Sequence, residues 1–474
     1  MLENLEKEFW FVVGSQDLYG EDALKQVHIN AKNITHALNE QANLPYPIVL
    51  QETALTADGI TKIMKEVNYN DKVAGVITWM HTFSPAKLWI RGTQLLQKPL
   101  LHLSTQVNQA IPWDTIDMDY MNLHQSAHGD REYGHINARL NKGNKVVIGY
   151  YEDPHVQAQI RDWMDAAVAY GEGFNIKVAR FGDNMRDVAV TDGDKIEAQI
   201  KLGWTVDYYG IGDLVDVVNH VSEEAVAELF NQYKDLYDFD YGDYDTRVWE
   251  DAVKVQARYE IALKEFLDSR GYTAFTTNFQ DLHGMKQLPG LAVQRLMGQG
   301  YGFAGEGDWK TAALSRQLKI MSHNQTTGFM EDYTYELTPG QEAILQSHML
   351  EVDPTLASNK PKIVVKPLSI GDREDPARLV FDGKAGDGVV VSLADFGTHF
   401  KLLVNEVEAF EPSVAAPNLP VARVLWKVKP NFHDGVKAWI EAGGGHHTAV
   451  SLSLTTDQIL SWARMVDLEV ALIK

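Results

Sequence analysis

Carboxylate and imidazole side chains stand in four widely separated stretches of this 474-residue chain. Glu306 lies between two glycines in FAGEGDW, and Glu331 lies in FMEDYTYEL. His348 lies in ILQSHMLEV, and the pair His446 and His447 follows three glycines in GGGHHT. Oxygen and imidazole ligands together suit Mn²⁺ or a similar divalent ion, and the absence of cysteine removes the thiolate alternatives. The spacing is long-range, so composition alone does not show that these residues converge.

The stretch GQGYGFAGEGDW contains the pattern G-x-G-x-x-G, which is also the fingerprint of dinucleotide binding. A true fingerprint follows a strand and opens a helix, whereas here a helical run at 291–297 precedes it. A strand at 300–304 that delivers Glu306 to a loop explains the sequence better. Asp308 then caps a helix at 309–321.

The remaining motifs predict which side chains share a face. Alternation along FMEDYTYEL places Glu331, Tyr333 and Tyr335 on one face of a strand, and Asp332 with Thr334 on the other. Two adjacent histidines in extended chain point in opposite directions, so one of His446 and His447 is expected to face a given site. The glycines before them give the backbone freedom and allow a close approach.

Other histidines have simpler structural explanations. His348 in an apolar strand is, taken alone, typical of a core residue. His124 and His128 are spaced i and i+4, with Glu132 one turn further, so on a helix they share a face and form a competing metal-binding pair. Gly129 and the polar surroundings favour a solvated face for this pair, and a ligand-contacting role also stays open.

The first third of the chain alternates between strand-like and helix-like periods. Apolar strands are predicted at 9–14, 48–50, 73–78, 100–103 and 145–150, with helices near 21–41, 59–67 and 85–96 between them. This rhythm predicts βαβ units and a parallel sheet. Parallel sheets bind ligands beyond the carboxyl ends of their strands, where the loops Gln16–Tyr19 and Trp79–Thr82 are expected.

The rest of the chain divides into an α/β part and a β-rich part. The middle third repeats the first, with strands predicted at 176–181, 205–209 and 272–277 and helices at 223–234 and 247–269. After about residue 322 short strands dominate, at 330–336, 347–352, 362–365, 378–381, 389–393, 400–407 and 421–428. Residues 382–388, DGKAGDG, are typical of a hairpin connection, and a helix at 456–465 closes this part.

The predicted fold class is therefore a multidomain α/β protein with two parallel-sheet domains of Rossmann or flavodoxin-like type, followed by a β-rich, barrel-like domain. The predicted boundaries are 1–170, 171–325 and 326–474.

Composition narrows the classes of partner. The net charge of −22 disfavours nucleic acid, which is bound mainly through Lys and Arg, and an anionic membrane surface. With no cysteine there are no disulfides and no cysteine-bound zinc. The first ten residues lack the pattern of an export signal, and no apolar run is long enough to span a bilayer, so a cytoplasmic location is expected.

Six stretches resemble the L-arabinose isomerase family, and the resemblance runs essentially from end to end. They are EFWFVVGSQDLYG from Glu8, WMHTFSPAK from Trp79, GFAGEGDWKTAAL from Gly302, FMEDYTYEL from Phe329, ILQSHMLEV from Ile344 and GGGHHT from Gly443. The resemblance implies a metal-dependent aldose–ketose isomerase that converts L-arabinose to L-ribulose, and D-galactose to D-tagatose, through a cis-enediol. It also implies a homohexamer with active sites at subunit boundaries.

The family's functional residues map onto matching positions. One Mn²⁺ per subunit, with Co²⁺ or Mg²⁺ as substitutes, is expected on Glu306, Glu331, His348 and His447, and the two glutamates are also expected to act as the catalytic acid and base. The expected sugar pocket consists of Gln16, Leu18, Met185 and Phe279, with His128 from a neighbouring subunit. Two other classes stay open: a two-lobed sugar-binding protein without catalysis, and an NAD-dependent dehydrogenase that rests on the glycine pattern alone.

Overall fold

The computed structural model describes residues 5–368 and 372–474. They form two compact units that divide between Gly171 and Glu172. The first unit contains strands β1 (Glu8–Gly14), β2 (Ile48–Leu50), β3 (Val73–Met80), β4 (Leu100–Ser104) and β5 (Asn144–Ile148), and helices α1 (Gly20–Gln41), α2 (Ala57–Tyr69), α3 (Ile90–Leu95), α4 (Met118–Leu123), α5 (Ser126–Arg139) and α6 (Pro154–Gly173), the last of which runs just past the division.

The sheet of the first unit is parallel throughout, in the order β2-β1-β3-β4-β5. The run FWFVVG forms β1 because a central parallel strand is buried on both faces and therefore needs continuous apolar residues. This is a doubly wound order, in which a ligand crevice opens beyond the carboxyl ends of β1 and β3. There the hydroxyls of Ser15 and Thr82 lie 2.7 Å apart and join the two loops.

The second unit begins with another α/β arrangement. It contains strands β6 (Lys177–Phe181), β7 (Thr205–Tyr209), β8 (Asp238–Asp240), β9 (Ala274–Thr277) and β10 (Gly302–Ala304), and helices α7 (Lys195–Leu202), α8 (Ile211–His220), α9 (Glu223–Leu236), α10 (Thr246–Arg270), α11 (Gly290–Gly298) and α12 (Trp309–Met321). The strands of its main sheet are parallel in the order β10-β9-β6-β7. Helix α12 packs directly on β10, because Gly302 has no side chain and a Cβ there would lie 2.3 Å from the Ala312 carbonyl oxygen.

The same unit continues into a β barrel. Its elements are β11 (Thr327–Glu336), β12 (Ala343–Ser347), β13 (Lys362–Val365), β14 (Ala377–Val380), β15 (Gly386–Asp395), β16 (Phe400–Phe410), β17 (Val424–Val428), α13 (Phe432–Glu441), β18 (His447–Ser451), α14 (Thr456–Met465) and β19 (Glu469–Ile473). Six strands pair in the order β15-β18-β11-β12-β17-β16, and the β15–β16 pairing closes the ring. Strand β19 adds to β16 in parallel, while β14, β13 and β8 form a separate small sheet.

This architecture confirms the predicted fold class: two parallel-sheet α/β domains are followed by a β-rich domain with a closed six-stranded barrel. The predicted boundaries at 1–170, 171–325 and 326–474 stay predictions. Within the described ranges, no helix is both long and apolar enough to cross a membrane.

Two local predictions in the barrel domain were wrong, and two elements were not predicted. Residues 382–388 do not connect a hairpin, because β14 pairs with β13 whereas β15 pairs with β16 and β18. The strand expected at 347–352 is β12, which ends at Ser347, so that His348 lies in the loop after it. The polar helix α13 and the terminal strand β19 were not predicted.

Candidate metal centre

Glu306 lies in the loop after β10, as the sequence predicted, in an unusual backbone conformation. Its φ is 62° and that of Gly307 is 78°. A left-handed φ costs a residue with a side chain about 1–2 kcal/mol, so neighbouring groups must hold it. The Met185 amide donates to the Glu306 carbonyl at 2.9 Å, and the Gly307 amide donates to the Thr277 carbonyl at 3.1 Å. These bonds fix the direction of the Glu306 side chain.

Asp308 has two roles at the start of α12. It caps the helix as predicted, accepting from the Thr311 amide at 3.2 Å. Its other oxygen accepts from His447 Nδ1 at 3.1 Å. Burial raises the pKa of the Asp308 carboxyl, but the Lys310 ammonium and His447 outweigh burial and hold that pKa below its ordinary value. The charged carboxylate keeps the proton of His447 on Nδ1, which leaves Nε2 with a free lone pair.

His348 has the same kind of support on the opposite side of the centre. Its Nδ1 lies 2.6 Å from a Glu351 oxygen. Burial acts against the charged imidazole, but the carboxylates of Glu351, Glu331 and Glu306 outweigh burial and raise the pKa of His348 to about 9. A carboxylate therefore orients each of the two histidines through Nδ1.

The four predicted ligands lie near one another as two close pairs, and the rings of His348 and His447 are 6.1 Å apart. His447 Nε2 lies 3.7 Å from a Glu306 oxygen, and His348 Nε2 lies 3.9 Å from a Glu331 oxygen. The antiparallel pairing of β11 with β18 sets Glu331 opposite His447. The ring of Phe329 packs edge-on against both imidazoles, with centroid distances of 4.9 and 5.1 Å.

The donor set fits a divalent cation. Among the described residues, Nε2 of His348 and Nε2 of His447 are buried without a hydrogen-bond partner. Buried polar atoms are rarely left unpaired, and each of these two faces a carboxylate beyond hydrogen-bonding distance. Burial raises the pKa of Glu306, an effect that the two histidines oppose and Glu331 reinforces. A cation between the four groups satisfies both nitrogens and offsets the burial of the carboxylates.

His446 also lies at this centre. Glu306, His446 and His447 place one ligand atom each within 4.8 Å of one another. His446 Nε2 is 4.0 Å from the second Glu331 oxygen, and its side chain is 38% exposed. The expectation that only one of the two histidines faces the site was therefore wrong. Alternation applies within a strand, but β18 begins at His447 and His446 lies in a bend.

A bulge changes the expected faces of β11. Asp332 and Tyr335 line the same cavity inside the barrel, together with Trp439. The irregularity between Asp332 and Thr334 shifts the register by one residue, so simple alternation fails there. Burial raises the pKa of Asp332 to about 6 against a hydrogen bond from Gln346, and Glu331 adds to the rise.

Two of the predicted sugar-pocket residues adjoin the centre. Met185 is bonded to the Glu306 backbone, and Phe279 lines a small cavity with Glu306 and His348. The other three belong to the first unit, so their contribution stays a prediction. Gln16 immediately precedes a short 3₁₀ turn that contains Leu18, whose side chain is 82% exposed, and exposed His128 stacks on Phe83 at 4.4 Å.

The prediction that His124 and His128 share a helical face was wrong. Two residues that orient the histidine ligands were not identified as such from the sequence. His124 is the C-cap residue that follows α4, whereas His128 belongs to α5, so the two do not share a helical face. His124 instead stacks on Tyr120 at 4.0 Å. Glu351 was missed, although an acidic residue three positions after His348 was visible in HMLEV. Asp308 was recognised only as a helix cap.

Fold and site together define a class: an enzyme whose α/β and barrel domains gather carboxylates and imidazoles in a buried centre. Family models described as the N-terminal, central and C-terminal domains of L-arabinose isomerase match residues 3–175, 177–324 and 326–469. The chain belongs to the L-arabinose isomerase family and is an isomerase.

Full-length relatives agree with the family models. The chain is 76% identical over 474 residues to the L-arabinose isomerase of Oceanobacillus iheyensis, with 100% of both chains covered. It is 65% identical over 473 residues to L-arabinose isomerase 1 of Clostridium acetobutylicum, covering 100% of this chain and 97% of that one. It is 59% identical over 474 residues, with both chains fully covered, to the L-arabinose isomerase of Levilactobacillus brevis.

Proposed function

We propose that this protein is a metal-dependent aldose–ketose isomerase that converts L-arabinose to L-ribulose and also D-galactose to D-tagatose. The names of the relatives support the first substrate. The observation that carries the metal dependence is the pair of buried, unpartnered Nε2 atoms, on His348 and His447, that face two carboxylates.

One Mn²⁺ per subunit, replaceable by Co²⁺ or Mg²⁺, would be held by Glu306, Glu331, His348 and His447. His447 is preferred to His446 because Asp308 fixes its Nδ1 and its Nε2 is buried without a partner among the described residues. When bound, the ion would polarise the sugar carbonyl and stabilise negative charge on the neighbouring oxygens. The half-exposed His446 is then left to face the sugar.

The carboxylates of Glu306 and Glu331 would transfer the protons of the reaction. Isomerisation moves one proton from C2 to C1 and another between the two oxygens, through a cis-enediol. Glu306 lies in the loop after β10 and Glu331 lies on β11. Because the two carboxylates come from different elements, one can remove a proton while the other returns one. In the metal-free protein burial raises the pKa of the Glu306 carboxyl, and a bound divalent cation would favour its charged form.

The remaining proposals concern the sugar pocket and assembly. Met185 and Phe279 would line the pocket beside the centre. Gln16 and Leu18 would also contact the sugar, and His128 would be supplied by a neighbouring subunit of a homohexamer. The small-molecule aldose would be the substrate, and the protein would act in the cytoplasm.

Ketose formation from L-arabinose by metal-stripped protein, with and without added Mn²⁺, tests the proposal. Activity that returns with Mn²⁺ supports both the reaction and the metal. Sugar binding without ketose under either condition would instead support a non-catalytic sugar-binding protein. Solvent deuterium at C1 of the product is the result expected for an enediol, and complete retention of the substrate hydrogen would contradict that route.

A further inference from the structure

Lys310 is a buried lysine in the first turn of α12, and its side chain is only 2% exposed. A buried ammonium is costly unless its three hydrogens find acceptors. Its Nζ donates to the carbonyl of Val190 at 2.9 Å and to the carbonyl of Asp192. The third neighbour is Asp308, with one oxygen 3.5 Å away. Three acceptors therefore surround the ammonium.

Two of these acceptors belong to the segment 182–192, which follows β6. This segment supports the strained loop that carries Glu306. The Met185 amide donates to the Glu306 carbonyl at 2.9 Å, and Asn184 Nδ2 donates to the Gly307 carbonyl at 3.2 Å. The fit is tight, because a Cβ on Gly307 would lie 2.6 Å from the Asp183 carbonyl oxygen. The position of the segment therefore determines where Glu306 points.

The third acceptor, Asp308, contacts a different predicted ligand, His447. Asp308 accepts from His447 Nδ1 at 3.1 Å, so its position sets the direction of His447 Nε2. Lys310 thus contacts both the support of one carboxylate ligand and the support of one imidazole ligand, without lying at the centre itself.

We propose that Lys310 is a positioning residue that ties the segment 182–192 to Asp308 and so holds Glu306 and His447 in a metal-binding arrangement before the metal arrives. The inference rests on the proposed function, since the arrangement matters only if these residues bind a metal. The alternative is that Lys310 contributes only to the stability of α12.

A second buried lysine on the same helix provides the matched control. Lys319 is 0% exposed and pairs with Asp353 at 2.6 Å. Its other hydrogen-bond partner is Asn324, which does not contact the centre. The variants Lys310→Met and Lys319→Met each remove one buried charge from α12, so both are expected to lower thermal stability. Only the first removes contacts to the segment 182–192 and to Asp308.

The first readout does not need the metal. Hydrogen–deuterium exchange of the metal-free protein is expected to become at least about threefold faster in peptides covering 182–192 and 302–308 in Lys310→Met, because local opening controls exchange. Those peptides are expected to stay unchanged in Lys319→Met. Equal effects of the two variants, or unchanged exchange in Lys310→Met, would overturn the positioning role.

The second readout is the affinity for Mn²⁺, followed by the loss of the free Mn²⁺ signal in electron paramagnetic resonance. Lys310→Met is expected to raise the Kd by about 10- to 100-fold, as is typical when a partner of a ligand is lost. Lys319→Met should stay within about twofold of wild type, since no ligand contact changes. An unchanged Kd in Lys310→Met would refute the inference.

Two further outcomes keep the proposals separate. If the wild-type protein binds no Mn²⁺, the proposed metal dependence fails and the inference fails with it, and exchange then shows only whether Lys310 holds the segment 182–192 against the loop that carries Glu306. If Lys310→Met does not fold, Lys310→Gln replaces it, because glutamine keeps two donors but not the reach to all three acceptors. The same two readouts and the same control then apply.

Discussion

His348 is flanked by carboxylates on both ring nitrogens, with Glu351 at 2.6 Å on one side and Glu331 at 3.9 Å on the other. These acids hold a proton on the imidazole of the metal-free protein and raise its pKa to about 9, against the effect of burial. An imidazole binds a metal only in its neutral form, so binding must release this proton. Acid therefore competes with the metal at this residue.

We predict that the Kd for Mn²⁺ rises by about tenfold for each pH unit below about 9, because one proton must leave. The variant Glu351→Gln should flatten this dependence near neutral pH, since the largest attraction for the proton is lost. Titrations with Mn²⁺ at pH 6, 7 and 8 measure the slope. The surface variant His399→Asn should keep the wild-type slope, and a Kd independent of pH would contradict the prediction.

Glu306 and Glu331 are expected to be essential for turnover. Either substitution, Glu306→Ala or Glu331→Ala, should lower kcat by at least about 100-fold, because each removes a proton-transfer group as well as a ligand. Circular dichroism should show an intact fold. Glu336→Ala is the control, because this acid lies on the same strand with an exposed side chain. Activity close to wild type in either site variant would refute the assignment.

At the scale of elements, β10 and α12 approach so closely that the contact tolerates no side chain at Gly302. A Cβ there would lie 2.3 Å from the Ala312 carbonyl oxygen. Gly302→Ala should therefore destabilise the protein by about 1–3 kcal/mol and displace the loop that carries Glu306. Urea unfolding and Mn²⁺-dependent activity measure the two effects.

Gly212 provides the comparison, because it lies in α8 and a Cβ there meets nothing within 4 Å. Gly212→Ala should gain up to about 1 kcal/mol from helix propensity and leave activity unchanged. Equal stability of Gly302→Ala and wild type would show that the contact between β10 and α12 can relax.

Elements with strong periodicity were predictable from the sequence. The helix at 309–321 and the strand at 205–209 were placed at their observed ends, because the Asp308 cap marks the helix and the β-branched and aromatic residues of TVDYY mark the strand. The hairpin predicted at 382–388 failed since turn chemistry is local, whereas the pairing of β14 with β13 is decided by tertiary structure. Strand β19 was missed because it follows α14 with only a short connection.

The candidate site was predictable only in part. Glu306 could be identified from the sequence, because an acid between two glycines at the end of a strand is well placed to present its side chain in a loop. The convergence of Glu306 with His348 and His447 came from the resemblance, because no local pattern encodes contacts over such sequence distances. The Asp308–His447 and Lys310–Val190 contacts needed the structure for the same reason.

At the scale of the whole molecule, buried His81 links stability to pH. Its side chain stacks on Trp79 at 4.6 Å and bonds to Asn30 at 2.7 Å. Burial and the neighbouring His124 lower the pKa of His81 to about 3, against a backbone hydrogen bond. The unfolded chain binds a proton near pH 6.5, but the folded chain does not until about pH 3. Stability must therefore fall as the pH drops through this window.

We predict that His81 costs up to about 1.4 kcal/mol of stability per pH unit between about pH 6 and pH 4. The variant His81→Asn should be less stable at pH 7 but lose less stability on acidification. Urea unfolding of the whole protein, followed at several pH values, measures the difference. The variant of an exposed histidine, His36→Asn, should match wild type, and parallel pH profiles for His81→Asn and wild type would contradict the prediction.

The tight surroundings of Glu306 also restrict how this protein can evolve. Three glycines within six residues each exclude a side chain for a different reason. A Cβ on Gly302 would meet α12, one on Gly305 would lie 2.8 Å from the His348 ring, and one on Gly307 would lie 2.6 Å from the Asp183 carbonyl oxygen. Because the three obstacles belong to different elements, no single compensating change elsewhere relieves them all. A random library should therefore recover almost no functional substitutions at these three positions.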